Sequence, residues 1–170
     1  LAEVGRIDEA LADELGSAVA AAHRLVPTAT DTHFVEALAD IIAQNEAEFA
    51  SQPDLFSLQD LRAFATETRK AFERVKPLLL LRERAGLVRR CHGDLHLGNI
   101  VLIDGKPVLF DAIEFDDRIA TGDVLYDLAF LLMDLVERGL HHAASIVFNR
   151  YLTDTHRVHD LDALAALPLF

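Results

Sequence analysis

Up to about residue 90, apolar and polar positions follow one another with the period of an α-helix. Apolar side chains that recur three or four positions apart predict amphipathic helices, each burying one face. The apolar stripes cover about residues 7–22, 34–49 and 61–79, so we expect three helices in this half of the chain.

Residues that start or stop helices mark the limits of these stripes. Pro27 lies just after the first stripe, and Ser57 with Asp60 resembles a capping box at the start of the third. Pro77 lacks a backbone donor, so we expect it to kink or break the third helix. Gly86 is expected to end that helix.

The pattern changes near residue 100, where β-branched and aromatic residues form two short runs at 100–103 and 108–110. Asp104 and Gly105 lie between the runs. An Asp-Gly pair between apolar runs favours a type I′ turn, because both central positions of that turn need a positive φ. The sequence therefore predicts a β-hairpin.

Helical periodicity returns after Asp123. Residues 124–136 are apolar almost all round, which predicts a buried helix that ends at Gly139. Two shorter helices are expected at about 141–152 and 160–167. We therefore expect a mainly α-helical fold with a small β-hairpin.

Composition narrows the class of protein. The chain has 170 residues, which suits one domain, and its 51% hydrophobic content excludes a disordered chain. The formal net charge of -12 disfavours nucleic acids and anionic membranes as partners. It favours cationic partners or metal ions, although acidity that serves only solubility is an equally good interpretation.

The number of cysteines and the length of the apolar runs indicate the cellular compartment in which the protein is expected. Cys91 is the only cysteine, so an intrachain disulfide and a thiolate zinc site are both excluded. The longest apolar runs, at 78–81 and 128–133, are too short to span a bilayer, and the chain does not open with a signal peptide. We expect a cytosolic protein.

The residues that carry chemistry lie at 91–100, which read CHGDLHLGNI, and continue into the hairpin. Phosphoryl transfer needs a carboxylate that orients a hydroxyl and takes its proton, and oxygen ligands that hold Mg²⁺ on the phosphates. His92, Asp94 and Asn99 have the H-x-D-x-x-x-x-N spacing of such a site. A hairpin brings its ends together, so Asn99 and Asp111 can share one ion.

These residues resemble a known family. Residues 92–99 resemble the catalytic loop of aminoglycoside phosphotransferases and choline kinases, and residues 122–129, GDVLYDLA, resemble the Asp-containing helix that follows it. The stretch 92–132 is most similar to the kinase-like half of bacterial proteins that fuse such a domain to a P-loop ATPase.

The resemblance implies the C-terminal lobe of a protein-kinase-like fold. It implies ATP or GTP as phosphoryl donor, Mg²⁺ as cofactor, and a hydroxyl of a small molecule as acceptor; a cationic acceptor would suit the acidic chain. By this resemblance Asp94 is the catalytic base, and Asn99 and Asp111 bind Mg²⁺.

The chain also departs from the family pattern. An acidic residue is common two positions after the metal-binding Asp, where this chain has Ile113, with Glu114 one position later. A G-x-G-x-x-G loop is absent from the sequence, and its three lysines lack the context of a nucleotide-binding strand.

Because the nucleotide-binding lobe is not recognisable and the chain begins with Leu1, we expect a fragment of a larger protein. Residues 1–170 would form a single helical C-terminal lobe, with its catalytic and metal-binding segment at 91–117. The missing N-terminal lobe would precede residue 1, and the isolated chain would be inactive.

Five further residues are expected to support the site. His92 is expected to brace the loop, whereas His96 could either brace it or contact phosphate or substrate. Glu114 could replace the missing acidic residue or join an acidic rim for a cationic substrate. Alternatively, Glu114 simply lies on the solvent-exposed face of the loop. Asp123 is expected to cap a helix, and Asp127 to brace the catalytic loop as a buried acceptor.

Other interpretations of the same residues stay open from sequence alone. His92, Asp94 and His96 alternate and could be three metal ligands, or part of a metal-dependent phosphoesterase loop. The domain could also be a non-catalytic binding or regulatory module of a fused ATPase, with a degenerate site.

Overall fold

A computed structural model of the chain describes residues 7–29, 32–52, 54–156, 165–167 and 169–170. The described part is mainly helical, with two small antiparallel sheets. Its elements in chain order are α1 (Glu9–Leu25), α2 (Phe34–Ala50), α3 (Leu58–Arg84), β1 (Val88–Arg90), β2 (Ile100–Ile103), β3 (Lys106–Leu109), α4 (Asp117–Ala120), β4 (Thr121–Asp123), α5 (Val124–Glu137) and α6 (His141–Asp154). The helix expected at 160–167 falls largely outside the described residues.

Helices α1 and α3 each begin at a side chain that caps them. Asp8 accepts a hydrogen bond from the Leu11 amide ahead of α1. Ser57 accepts one from the Asp60 amide ahead of α3, as the sequence predicts. Such caps satisfy amides that have no partner inside the helix.

Of the kink or break that the sequence predicts at Pro77, the break is wrong. α3 runs unbroken to Arg84 with Pro77 inside it. Phe72 and Val75 before the proline, and Leu79 after it, are all buried. Packing on both sides of Pro77 therefore holds the helix together, while the proline itself lies exposed.

The predicted hairpin is present as β2 and β3, which pair from Ile100 with Leu109 to Ile103 with Lys106. Asp104 and Gly105 both have a positive φ, 52° and 79°, as a type I′ turn requires. The second strand begins earlier than its apolar run, since Lys106 joins the ladder.

The second sheet was not foreseen. β1 pairs with β4 antiparallel, with Val88 opposite Asp123. Each strand has only three residues, too few for an alternating pattern to reveal them. β1 leads directly into the loop that begins at Cys91, and β4 leads directly into α5, so this sheet fixes the loop against that helix.

Buried apolar side chains form two clusters. One joins α1, α5 and α6 with Leu95 and Leu97 from the loop and with Ile100 at the start of β2. The other joins α2, α3 and β1. The candidate catalytic loop is thus part of the first core. None of the helices in the described part of the chain has the length and apolar content needed to cross a bilayer.

Candidate functional site

The loop after β1 presents Asp94 between two buried residues, His92 and Leu95. The Cys91 amide donates to the Ala120 carbonyl (2.7 Å), and Gly93 has a φ of 80°. A side chain at Gly93 would meet the Ala120 backbone at 3.1 Å, so glycine suits this close approach. Leu95 is fully buried whereas Asp94 is exposed, so the carboxylate faces solvent from an anchored loop.

Asn99 is joined to Asp94 by two hydrogen bonds. Its Nδ2 atom donates to the Asp94 carbonyl at 2.9 Å and to Asp94 Oδ2 at 3.1 Å. A carbonyl only accepts, so the amide nitrogen must lie on this side. The side-chain oxygen of Asn99 is then the atom that can bind a cation.

The hairpin carries Asp111 back to the loop. The Phe110 amide donates to the Asn99 carbonyl at 3.0 Å, and Asp111 follows directly with a positive φ of 61°. Asp94 and Asp111 line one open pocket, together with residues 112–115. The structure therefore brings the three expected residues to one end of the hairpin.

The donor set at this end consists of oxygen atoms. Asp94 and Asp111 offer carboxylates, and Asn99 offers an amide oxygen. Mg²⁺ is a hard cation that prefers such ligands, whereas zinc sites favour imidazole and thiolate. The residues therefore fit a magnesium ion, which Asn99 and Asp111 could hold beside Asp94.

The two histidines of the loop behave differently. His92 is buried, and its Nε2 donates to the Phe110 carbonyl at 2.8 Å. His96 lies at the surface, where its Nδ1 accepts from the Gly98 amide at 3.0 Å and its Nε2 is 3.5 Å from Asp94 Oδ2. Among the described residues, the ligand atoms of His92, Asp94 and His96 do not lie close enough together to form a set of three metal ligands, which counts against the three-ligand and phosphoesterase interpretations.

The chain departs from the family pattern after Asp111, where Ile113 occupies the position that is usually acidic and Glu114 follows it. The Ile113 amide donates to the His92 carbonyl at 2.9 Å, and the Ile113 side chain lies near Gly93. Glu114 is exposed and lines the pocket with Asp94 and Asp111. An acidic side chain is thus present at the pocket, one position later than in the family pattern.

Asp127 on α5 holds the start of the loop. Its Oδ1 accepts from the Gly93 amide at 2.8 Å, and its Oδ2 accepts from the His92 amide at 3.3 Å. His23 on α1 also reaches Oδ2, at 2.9 Å, and its other nitrogen contacts the Tyr151 hydroxyl on α6 at 2.9 Å. Sequence reasoning gave no role to His23, although it continues the buried stripe of α1.

Asp123 fixes the start of α5. Its Oδ1 accepts from the Leu125 amide at 2.8 Å, which caps the helix. Both of its oxygens also accept hydrogen bonds from the guanidinium of Arg82, at 2.7 and 2.8 Å, and this ion pair is buried. Sequence reasoning missed Arg82, whose place on the buried stripe of α3, three residues after Leu79, could have revealed it.

Cys91 lies beside these carboxylates. Its thiol is buried, and its Sγ lies 3.6 Å from the Gly122 carbonyl. Burial, together with the nearby charges of Asp127 and Asp123, raises the pKa of the Cys91 thiol well above its ordinary value. The thiol is therefore kept protonated and unreactive.

Sequence comparison relates the chain to a known protein family. The model of the phosphotransferase enzyme family matches residues 2–161. Uncharacterised proteins of Mycobacterium bovis and of two strains of Mycobacterium tuberculosis are 43% identical to the chain over 54 residues. That match covers 32% of this chain and 11% of each relative. No solved structure matches the chain. Because the family model covers nearly all of the sequence, the chain belongs to the phosphotransferase enzyme family, the aminoglycoside phosphotransferase and choline kinase-like family.

Proposed function

We propose that the full-length protein transfers the γ-phosphoryl group of ATP or GTP to a hydroxyl of a small molecule. Asp94 is the catalytic base, and Asn99 and Asp111 hold Mg²⁺. One observation carries the proposal: Asp94 and Asp111 line the same pocket, and Asn99 is hydrogen-bonded to Asp94.

The exposed Asp94 carboxylate orients the acceptor hydroxyl and takes its proton as the new oxygen–phosphorus bond forms. The bond between the γ-phosphorus and the leaving nucleotide oxygen breaks in the same displacement. Magnesium, when bound, neutralises charge on the phosphates. Asn99 holds Asp94 in place through its amide, so positioning supplies much of the rate.

The remaining parts of the proposal concern the rest of the protein. The described residues would act as the C-terminal lobe of a kinase-like fold, with a nucleotide-binding lobe supplied from before residue 1. A fused P-loop ATPase domain is a further expected partner, and the isolated chain is expected to be inactive. The net charge of -12 supports a small, cationic acceptor over a nucleic acid or a membrane, and the protein would act in the cytosol.

The test uses the full-length protein, screened for phosphoryl transfer over a library of hydroxyl compounds. Asp94→Asn should lower kcat by about 10²- to 10⁴-fold, the usual contribution of a general base. Asp104→Asn, the same change at an exposed turn residue at the other end of the hairpin, is the control and should keep its rate. An Asp94→Asn protein with an undiminished rate would refute the assignment.

A second candidate function is a non-catalytic nucleotide-binding or regulatory module. Ile113 at a position that is usually acidic in the family favours it. Such a module would bind Mg²⁺ and nucleotide in the full-length protein without consuming the nucleotide in the presence of any acceptor. The same screen therefore separates the two candidates.

A further inference from the structure

We propose that His23 is a positioning residue for the catalytic loop. Its imidazole orients the Asp127 carboxylate, and that carboxylate holds the two amides that precede Asp94. Tyr151 in turn orients His23. The inference rests on the proposed function only in taking Asp94 as the catalytic base.

The contacts form one continuous chain through the first core. Tyr151 on α6 meets His23 Nδ1 at 2.9 Å, and His23 Nε2 meets Asp127 Oδ2 at 2.9 Å. Asp127 then receives the amides of His92 and Gly93 at 3.3 and 2.8 Å. The chain thus runs from α6 through α1 and α5 to the residue before Asp94.

Burial makes each of these contacts matter. Tyr151, Asp127 and His23 are 1%, 3% and 4% exposed, so water does not readily replace a lost partner. An unpaired buried carboxylate is costly and turns towards whatever donors remain. His23 is therefore placed to decide how the Asp127 carboxylate is rotated.

The hydrogen-bond roles follow from the partners. A carboxylate accepts, so His23 Nε2 carries a proton and donates it to Asp127. In the neutral tautomer Nδ1 then accepts from the Tyr151 hydroxyl. The two rings also pack edge to face, with centroids 5.5 Å apart, which fixes the imidazole plane.

This cluster also contains Cys91, whose Sγ lies within 4.8 Å of the His23 and Asp127 ligand atoms. His23 and Asp127 are already bonded to each other, and Asp127 is bonded to the loop amides. A cation here would have to displace those bonds. We therefore assign the cluster to positioning of the loop rather than to metal binding.

A small cavity lies next to His23, and it determines which substitutions of His23 can test the proposal. It measures about 50 Å³ and is lined by Arg24, Arg89 and Tyr151 among others, so it has room for water. In a His23→Ala protein a water could take the place of Nε2. His23→Leu fills the space without a donor, whereas His23→Gln keeps an N–H near the position of Nε2.

The experiment compares these two variants with Tyr151→Phe in the full-length protein, with His142→Gln as a control. His142 is an exposed histidine on α6 whose Nε2 pairs with Glu9. Two readouts are used: the steady-state kcat and nucleotide KM, and hydrogen exchange of the segment 92–95 against segments of α2 and α3.

His23→Leu should lower kcat by about tenfold or more while nucleotide KM changes by less than about threefold, because the base is displaced but the nucleotide contacts are not. His23→Gln should recover most of kcat. Exchange should quicken in segment 92–95 of His23→Leu and stay unchanged in α2 and α3. Tyr151→Phe should fall between wild type and His23→Leu.

Three results would overturn the proposal: an unchanged kcat in His23→Leu, a His23→Gln protein no better than His23→Leu, or faster exchange throughout the protein. If wild type transfers no phosphoryl group, the proposed function fails and exchange alone decides the positioning claim. Selective quickening at 92–95 would then support it, and its absence would refute it. Should His23→Leu not fold, Tyr151→Phe decides the claim: a lowered kcat with faster exchange at 92–95 would support it, and an unchanged kcat and exchange would overturn it.

Discussion

Asp111 has a backbone conformation that most side chains avoid. Its φ of 61° lies in the left-handed region, which only glycine adopts freely. Strained residues persist where the surrounding structure holds them, and they are common at functional sites. The positive φ of Asp111 therefore supports the proposal that this residue has a functional role at the end of the hairpin.

Replacing Asp111 with glycine separates stability from function. Asp111→Gly relieves the strained φ but adds entropy to the unfolded chain, so the free energy of unfolding should change by less than about 1 kcal/mol. It removes a proposed ligand, so Mg²⁺-dependent nucleotide binding by the full-length protein should be lost. Calorimetric titration and denaturant unfolding measure the two effects.

Asp104 supplies the matched control. It is also an aspartate with positive φ, 52°, but it lies in the turn at the other end of the hairpin. Asp104→Gly should leave both stability and nucleotide binding nearly unchanged. Equal nucleotide binding by the two variants would remove Asp111 from the metal site.

The thiol of Cys91 should be inert in the folded protein. Burial first, and the carboxylates of Asp127 and Asp123 next, raise its pKa, so little thiolate forms at neutral or mildly alkaline pH. A thiol reagent at pH 8 should react with Cys91 only after denaturant is added. Rapid reaction in the native protein would contradict the buried, protonated thiol.

At the scale of single residues, the sequence predicted those members of the candidate site that lie close together along the chain. Asp94 and Asn99 share one loop, and a local hairpin returns Asp111 to it, so spacing was sufficient to predict that they lie together, while their chemical roles stay predictions. Arg82 and His23 come from distant helices and meet their partners only after folding. A charged or titratable residue on an apolar stripe is the sign by which both could have been found.

Among the elements, α1 and α6 pack closely at Gly16. A Cβ atom there would lie 2.6 Å from the Val147 carbonyl oxygen and 2.8 Å from Arg150 Cβ, both on α6. Beside it Ser17 donates to Asp154 at 2.6 Å. His23 lies on α1 and Tyr151 on α6, so the close crossing of these two helices depends on the absence of a side chain at Gly16.

Gly16→Ala tests this packing. In an isolated helix alanine would stabilise by about 1 kcal/mol over glycine. Here the overlap with α6 should outweigh that gain, so the free energy of unfolding should fall by about 1–3 kcal/mol, as in other overpacked cores. Denaturant unfolding measures it, and a more stable Gly16→Ala protein would show that α1 and α6 do not pack this closely.

Elements defined by local patterns were predicted well. The three helical stripes and the Asp-Gly turn were each visible within a short window of sequence. The β1–β4 pair was not, because three-residue strands have no period and their partners are far apart in the chain. Pro77 does not break α3 because burial of the stripe on both sides outweighs one lost hydrogen bond.

In the whole molecule, a buried ion pair connects the two cores. Arg82 lies on α3 beside the second cluster, and Asp123 begins the helix that runs through the first. Arg82 and Asp123 are 3% and 0% exposed. Removing one partner of such a pair leaves the other charge buried without compensation.

Arg82→Met should therefore destabilise the protein by about 3–5 kcal/mol. Arg84→Met is the control: Arg84 lies on the same helix but is exposed, so its loss should cost less than about 0.5 kcal/mol. Denaturant unfolding of both variants gives the comparison. Similar stabilities would mean that the ion pair does not hold the two cores together.

The most direct test of the central claim is a crystal structure of the full-length protein with Mn²⁺ and a non-hydrolysable ATP analogue, in which anomalous scattering locates the ion. We predict one ion bound by both the Asn99 side-chain oxygen and the Asp111 carboxylate, at about 2.0–2.2 Å as is usual for such hard cations. The Asp94 carboxylate should lie beside the γ-phosphate. An ion bound elsewhere, or an Asn99 and Asp111 that do not share one, would contradict the account.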